Sequence, residues 1–331
     1  MTPNSPPTRR DFIKTTALLA GTAITLPFFP SSAAAQDPSA VPPAGPSPAN
    51  PDVGGVFVKG PDGKRRQIIL GPDDKPAFPV PPKGFDVKRD GIPHGRMELI
   101  TYDSKTVGVP RKMTIYTPPG YSASQKYPVV YLLHGIGGDE TEWARVGLPD
   151  IILDNLLAEG KVTPMIAVMP NGRARPDDRP PRNLFTPEHS LAFANFENDL
   201  LTDVIPAIET RYSVQADREH RSLAGLSMGA GQALNFGLAH LDTFAWVGAF
   251  SPAPDTRQPA KLIADPATAR EQLKLLWLSC GNQDGLIGIA RGVHAWLKAN
   301  NIPHIWHVDG NAHDTPEWRS SLYHYSQLLF R

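Results

Sequence analysis

From residue 128 onward, short apolar stretches alternate with helical patterns, and this alternation most restricts how the chain can fold. PVVYLLH (128–134) and PMIAVMP (164–170) are apolar throughout, which is typical of strands covered on both faces. Strands that alternate with helices predict a parallel sheet wrapped on both sides. Further strands are predicted at 221–225, 246–251, 273–279 and 304–309, and helices at 149–159, 195–211, 228–240, 286–300 and 317–329.

Two earlier stretches have a different pattern. MELITYD (97–103) and KMTIYT (112–117) alternate between apolar and polar residues, as half-buried antiparallel strands do. They would form one edge of the sheet. We therefore predict an α/β-hydrolase fold over residues 94–331, with a mostly parallel sheet, helices on both faces and an antiparallel N-terminal edge.

The N-terminus has the layout of an export signal. The twin arginines Arg9 and Arg10 precede an apolar stretch at 17–26 and the small residues SSAAA at 31–35. The apolar stretch is short of the roughly 20 residues that a membrane span needs. We interpret residues 1–36 as a twin-arginine signal, with an uncleaved anchor as the alternative. The mature protein is then periplasmic or secreted, without stable membrane insertion.

Two segments separate this signal from the predicted domain. Residues 37–55 are rich in Pro, Ala, Ser and Gly, which is typical of an extended linker. Residues 56–93 hold two short apolar stretches broken by Gly and Pro, and the sequence assigns this lead-in no role. Cys280 is the single cysteine, so no intramolecular disulfide can form, and its apolar context predicts a buried residue.

The charge balance and the motifs limit which partners and metals the protein is expected to bind. The chain has 33 basic and 33 acidic residues, which gives no indication of a nucleic-acid partner. It lacks an H-E-x-x-H motif and its histidines are scattered, so we expect no metal. The oligomeric state is not indicated by the sequence.

The stretch G-L-S-M-G (225–229) joins a predicted strand to a predicted helix. A serine at such a junction lies on a sharp turn that exposes its hydroxyl above the sheet edge. Glycines at both ends give room for this turn. Ser227 is therefore the candidate nucleophile, and the N–H of Met228, at the helix N-terminus, is a candidate oxyanion donor.

A serine nucleophile needs a histidine held by a carboxylate. In this fold the order along the chain is Ser, acid, His. Asp284 and His313 follow the last two predicted strands, so both are expected at the same sheet edge as Ser227. Asp309 and Asp314 are weaker candidates for the acid because they fall at a strand end and a helix cap. Eight other histidines are interpreted as structural or exposed: His94, His189, His220, His240, His294, His304, His307 and His324.

The loop HGIGG (134–138) follows a predicted strand and is glycine-rich, so its backbone can approach a substrate carbonyl. We predict the N–H of Ile136 as the second oxyanion donor and His134 as a brace for the loop. Trp143 is a candidate for the pocket wall, or else is buried under the following helix. The Arg-rich segment 171–185 either contacts substrate or is a solvated loop balanced by its own aspartates.

Separated motifs over residues 95–331 resemble the feruloyl esterases of carbohydrate esterase family 1, within the esterase D superfamily. The resemblance rests on YLLHGIGG (131–138), NLLAEG (155–160), YSVQADREHRSLAGLSMG (212–229), GLAHLDTF (237–244), LKLLWLSCGNQD (273–284) and GNAHD (310–314). Ala230 departs from the glycine that many relatives have there.

The resemblance implies a cofactor-free esterase that removes feruloyl or acetyl groups from plant cell-wall polysaccharide. It implies Ser227 as nucleophile, Asp284 as acid and His313 as base, with Met228 and Ile136 as oxyanion donors. Related members include mycolyl transferases and siderophore esterases of the enterobactin type. Acyl transfer and siderophore hydrolysis therefore remain alternatives, as does a non-catalytic binding module from another functional class.

Overall fold

A single mixed sheet organises the part of the chain that the computed structural model describes, which is residues 56–59 and 65–331. Its order is β10-β9-β8-β7-β5-β6-β4-β3, and every pairing is parallel except β3 with β4 and β4 with β6. The predicted α/β-hydrolase fold with an antiparallel edge is confirmed. The strands are β3 Arg96–Ser104, β4 Val109–Thr117, β5 Val129–Leu133, β6 Ile166–Pro170, β7 Arg221–Leu226, β8 Trp246–Phe250, β9 Leu275–Gly281 and β10 Ile305–Asp309.

Helices follow most of the parallel strands. One predicted helix, at 195–211, differs in the structure: it begins at Pro187, where the Thr186 side chain caps it, and a π-helical turn, Leu200–Val204, divides it. A π-helical turn at Trp143–Gly147 and the short α5 were not predicted. The α-helices within the described residues are α1 Pro149–Ala158, α2 Pro187–Asp199, α3 Ile205–Arg211, α4 Met228–Ala239, α5 Pro266–Gln272, α6 Ile287–Ala299 and α7 Thr315–Ser326.

Alternate residues of each central strand pack against different helices. On β8, Trp246 and Phe250 belong to the apolar layer under α1 and α7, whereas Val247 and Ala249 pack with α4 and α6. The helices α2 and α3 cover the rest of the second face. Both faces are therefore dry, which explains why the strands read as continuous apolar stretches.

The predicted signal and linker, residues 1–36 and 37–55, lie outside the described residues. Within the described part of the chain, no helix has the length and apolar character that crossing a membrane requires. The same residues contain no group of three or more His, Cys, Asp or Glu side chains arranged to hold a metal ion.

The lead-in segment begins with a small antiparallel pair, β1 Val56–Lys59 and β2 Arg65–Ile68, and continues without regular structure to residue 95. It passes from α6 on one face, past the edge strand β10, to α7 and α1 on the other face. Asp74 accepts a hydrogen bond from Trp306 Nε1 and pairs with Arg291. Further along, the Asn155 side chain on α1 donates to the carbonyls of Phe85 and Val87. The segment is therefore bonded to the domain at both ends.

Phe78 is the central apolar contact of the lead-in segment. Its ring stacks on Trp277 and His324, with centroids 5.5 and 5.1 Å apart, and so covers aromatic side chains of β9 and α7.

We expect Phe78→Ala to lower the free energy of unfolding by about 1–3 kcal/mol, because it removes a large apolar side chain from a partly buried site. Urea denaturation followed by tryptophan fluorescence measures this loss. Val80→Ala is the matched control, since Val80 is 89% exposed and two residues away. An equal loss for both variants would contradict a specific role for Phe78.

Candidate active site

The turn between β7 and α4 holds Ser227 in an unusual backbone conformation, with φ 53° and ψ −118°. Positive φ is strained for a residue with a side chain. A methyl group added to Gly225 would lie 2.3 Å from the carbonyl oxygen of Gly229, and one added to Gly229 would lie 2.2 Å from that of Leu133. Both positions therefore require glycine, since strand and helix backbones meet there.

Three loops bring the predicted catalytic side chains together at the carboxyl edge of the sheet. Ser227 Oγ lies 2.9 Å from His313 Nε2, and His313 Nδ1 lies 2.8 Å from Asp284 Oδ2. Since a carboxylate only accepts, Nδ1–H donates to Asp284 and Nε2 is left to accept the serine proton. This is the geometry of an activated nucleophile.

Asp284 is buried, with 1% of its surface exposed. Burial by itself raises its pKa, but hydrogen bonds from His313, from the Leu286 N–H at 2.7 Å and from the Cys280 thiol at 3.3 Å outweigh it and hold the pKa below its ordinary value. The carboxylate is therefore charged and fixed beside the imidazole.

Cys280 is buried, in keeping with the prediction, and its thiol contacts Asp284 Oδ2. This contact was not predicted. The turn after β9 brings the Asp284 side chain back against Cys280 near the end of that strand. The spacing of the two residues in the sequence does not reveal this contact.

The weaker candidates for the acid have other partners. Asp309 ends β10 and accepts from Asn311, and Asp314 caps α7. His307 accepts a hydrogen bond from the N–H of Ala77 in the lead-in segment. Their positions agree with the interpretation of these groups as structural.

The glycine-rich loop after β5 passes beside the nucleophile: a methyl group on Gly135 would lie 3.5 Å from Ser227 Cβ. Among residues 65–331, no backbone acceptor is found for the N–H of Ile136. The N–H of Met228, in the first turn of α4, has no partner within the helix. Within the described residues, the two N–H groups predicted as oxyanion donors thus have no backbone acceptor, and their role remains a prediction.

His134 joins this loop to the next one. Its Nδ1 donates to Gly135 O at 2.7 Å, and its Nε2 accepts from the Gly172 N–H at 2.8 Å. Burial, with the nearby Arg173 charge, lowers the pKa of His134 to about 4. A neutral imidazole is therefore maintained, and both of its nitrogens are used in bracing.

Trp143 lies in the core rather than on a pocket wall. It is 1% exposed, its Nε1 donates to Leu133 O at 2.9 Å, and its ring meets Phe250 edge to face. The candidate role in substrate binding is therefore contradicted. The tryptophan is instead buried against the sheet, directly before α1.

The Arg-rich segment is mostly a scaffold. Arg173 is fully buried and donates to the carbonyls of Gly138 and Asp178. Arg179 pairs with Asp177 at the surface. The structure thus favours the loop balanced by its own aspartates over a basic substrate arm.

A small apolar cluster contains chain neighbours of the predicted catalytic residues. Phe193, Met228 and Ala253 are buried, and the half-buried Ile136 and Leu286 pack against them. Met228 follows Ser227, and Leu286 lies two residues after Asp284.

A second buried carboxyl group lies behind the triad. Glu317 on α7 is fully buried, and one of its oxygens accepts from Ser279 and Ser321 at 2.8 and 2.9 Å. Burial, with the negative charges of Asp309 and Asp284, raises the pKa of Glu317 to about 8. The folded protein therefore holds this proton at neutral pH.

We expect Glu317→Gln to gain stability over the wild type as pH rises. Above the ordinary value of 4.5 and up to about 8, the folded state keeps a proton that the unfolded chain has released. The free energy of unfolding of the wild type therefore falls through this window, and glutamine removes that dependence. Urea midpoints across the window measure the difference, with exposed Glu271→Gln as the control for loss of a carboxylate. A constant difference at all pH values would contradict the prediction.

The fold and this site together define an esterase of the α/β-hydrolase class. A family model described as "Putative esterase" matches residues 104–323. The chain belongs to this family.

Two similar proteins indicate which esterases of this family the chain resembles. The chain is 31% identical over 259 residues to an endo-1,4-beta-xylanase/feruloyl esterase of Xylanibacter ruminicola, an alignment that covers 77% of this chain and 34% of that protein. The chain thus spans about a third of that relative. The structure of a CE1 ferulic acid esterase from Anaeromyces mucronatus is 31% identical, with a TM-score of 0.68 over 76% of this chain and 96% of that one. The predicted resemblance to carbohydrate esterase family 1 is confirmed.

The enterobactin esterase of Shigella flexneri is a more distant neighbour, 19% identical with a TM-score of 0.56, over 82% of this chain and 67% of that one. This likeness concerns the fold alone.

Proposed function

We propose that this protein is an exported serine carboxylic-ester hydrolase that releases feruloyl groups from plant cell-wall polysaccharide. The observation that carries the proposal is the unbroken hydrogen-bonded chain from Ser227 through His313 to Asp284. Membership of the esterase family supports the reaction class, and the xylanase/feruloyl esterase relative supports the acyl group.

In the proposed mechanism, His313 Nε2 removes the proton from Ser227 Oγ as this oxygen attacks the ester carbonyl. The N–H groups of Met228 and Ile136 bind the oxyanion that forms. The imidazolium then gives its proton to the departing alcohol, and an acyl-enzyme remains. Water, deprotonated by the same imidazole, hydrolyses it, while Asp284 stabilises the charged ring in both steps.

The small apolar cluster supports an aromatic acyl group. Ile136 and Leu286 are half buried and pack against the cluster that contains Met228, the residue after Ser227, so we place the ring of the acyl group against them. The alcohol would leave toward solvent, where a polysaccharide chain has space. No organic cofactor or metal enters this chemistry.

Export is inferred from the sequence. Arg9 and Arg10, the apolar stretch and the small residues that follow give the order of a twin-arginine signal. This route carries folded proteins, and a chain with one cysteine needs no oxidation to fold.

We expect Ser227→Ala to lower kcat on p-nitrophenyl acetate by at least about 10³-fold, because the alanine cannot form the acyl-enzyme. A fluorophosphonate probe should label the wild type and not this variant. The exposed Ser124→Ala is the control and should keep full activity and labelling. Wild-type turnover by Ser227→Ala would overturn the proposal, and a wild type that the probe does not label is the result expected of a non-catalytic module.

We expect methyl ferulate to be turned over with a higher kcat/KM than a siderophore trilactone, with acetylated xylan as the third substrate. Leu286→Ala should lower kcat/KM for methyl ferulate several-fold and change that for p-nitrophenyl acetate by less than about twofold, since acetate is too small to cover this side chain. An equal loss on both esters would contradict the aromatic acyl site. Product analysis with added sugar alcohols distinguishes hydrolysis from acyl transfer.

A further inference from the structure

The oxyanion loop is held from outside by a histidine that the sequence did not single out. His189, on α2, is 1% exposed, and its Nε2 donates to the carbonyl of Ile136 at 2.9 Å. The side chain of Thr186 caps the helix by accepting from the His189 N–H at 3.2 Å. The start of α2 is therefore fixed directly over the loop.

The backbone groups of Gly135 and the carbonyl of Ile136 are hydrogen-bonded, whereas no acceptor is found for the Ile136 N–H within the described residues. The Gly135 N–H donates to Glu142 at 2.7 Å, Gly135 O accepts from His134, and Ile136 O accepts from His189. Because a trans peptide is planar, holding Gly135 O aims the Ile136 N–H in the opposite direction. His189 holds the next peptide in the same way.

This second anchor is needed because the residues that follow have no side chains. Gly137 and Gly138 allow the Ile136–Gly137 peptide to rotate at little cost. Rotation by half a turn would exchange the directions of its carbonyl and N–H. It would also release the Ile136 backbone, which must present its own N–H to the substrate.

The two histidines act as a pair. Phe193 lies between them and meets both rings edge to face, at 5.7 Å from His134 and 5.2 Å from His189. Because the Ile136 carbonyl can only accept, Nε2 of His189 carries the proton, and the buried Nδ1 has no partner among the described residues. Burial and the charges of Arg173 and Arg175 lower the pKa of His189 and maintain this neutral form.

We propose that His189 is a positioning residue of the oxyanion hole: it fixes the Ile136–Gly137 peptide and so restrains the backbone from which Ile136 presents its N–H to the developing charge. This inference rests on the proposed function. It also gives the segment 171–199 a role: through Gly172, Arg173 and His189 it forms the outer wall of the oxyanion loop.

The test compares His189→Ala and His189→Gln by steady-state kinetics on p-nitrophenyl acetate. We expect His189→Ala to lower kcat by about 10- to 100-fold, the effect of a small misplacement in an active site, with KM changed by less than about threefold. Affinity for a trifluoromethyl ketone, which mimics the oxyanion, should fall in parallel. The glutamine amide can donate to the same carbonyl, so His189→Gln should recover most of both losses.

His240→Ala is the matched control. His240 binds Glu197 at 2.8 Å near the other end of α2, so its loss loosens the same helix without touching the oxyanion loop. Thermal unfolding of each variant identifies any that fail to fold. An equal fall in kcat for His240→Ala would overturn the inference, as would a glutamine variant that folds but is no better than the alanine variant.

Ser227→Ala in the same assay separates the two proposals. If Ser227→Ala is inactive and His189→Ala has normal kcat, only the role of His189 is wrong. If Ser227→Ala is active, the proposed function itself is wrong.

Discussion

The contact between the end of β5 and the first turn of α4 is the constraint on which the site depends. Gly229 lies against the carbonyls of Leu133 and His134, and Gly225 against the backbone of Gly229. This close packing holds Ser227 at positive φ and places the oxyanion loop beside it. The strain of the nucleophile is compensated by a dry sheet that leaves the turn no other position. The Ser227 hydroxyl therefore lies at the N-terminus of α4, beside the loop that carries Ile136.

The common direction of the parallel strands brings the three side chains of the site together. β7, β9 and β10 run in the same direction, so the loops carrying Ser227, Asp284 and His313 leave the sheet at one edge. Each side chain then needs only short-range support. Asp284 receives it from the Leu286 N–H and the Cys280 thiol.

Much of this arrangement could be predicted from the sequence. The strand periods, the glycine-flanked serine and the order of acid and histidine are local or topological signals, and the fold and the meeting of Ser227, Asp284 and His313 follow from them. Trp143 shows where such reasoning ends: an indole after a glycine-rich loop suits a pocket wall equally well until packing against Phe250 is known. His189 has no local signal, because its partner is a carbonyl 53 residues away. The start of α2 at Pro187 was not predicted, because the helix that follows the capping threonine and the proline contains few apolar residues.

The buried thiol of Cys280 has a consequence for durability. Burial, followed by the nearby charge of Asp284, raises the pKa of this thiol well above its ordinary value. Oxidants and disulfides react with thiolates. A buried thiol that keeps its proton presents almost no thiolate to them. We therefore expect the one thiol of the chain to react slowly with oxidants and disulfides while the protein is folded.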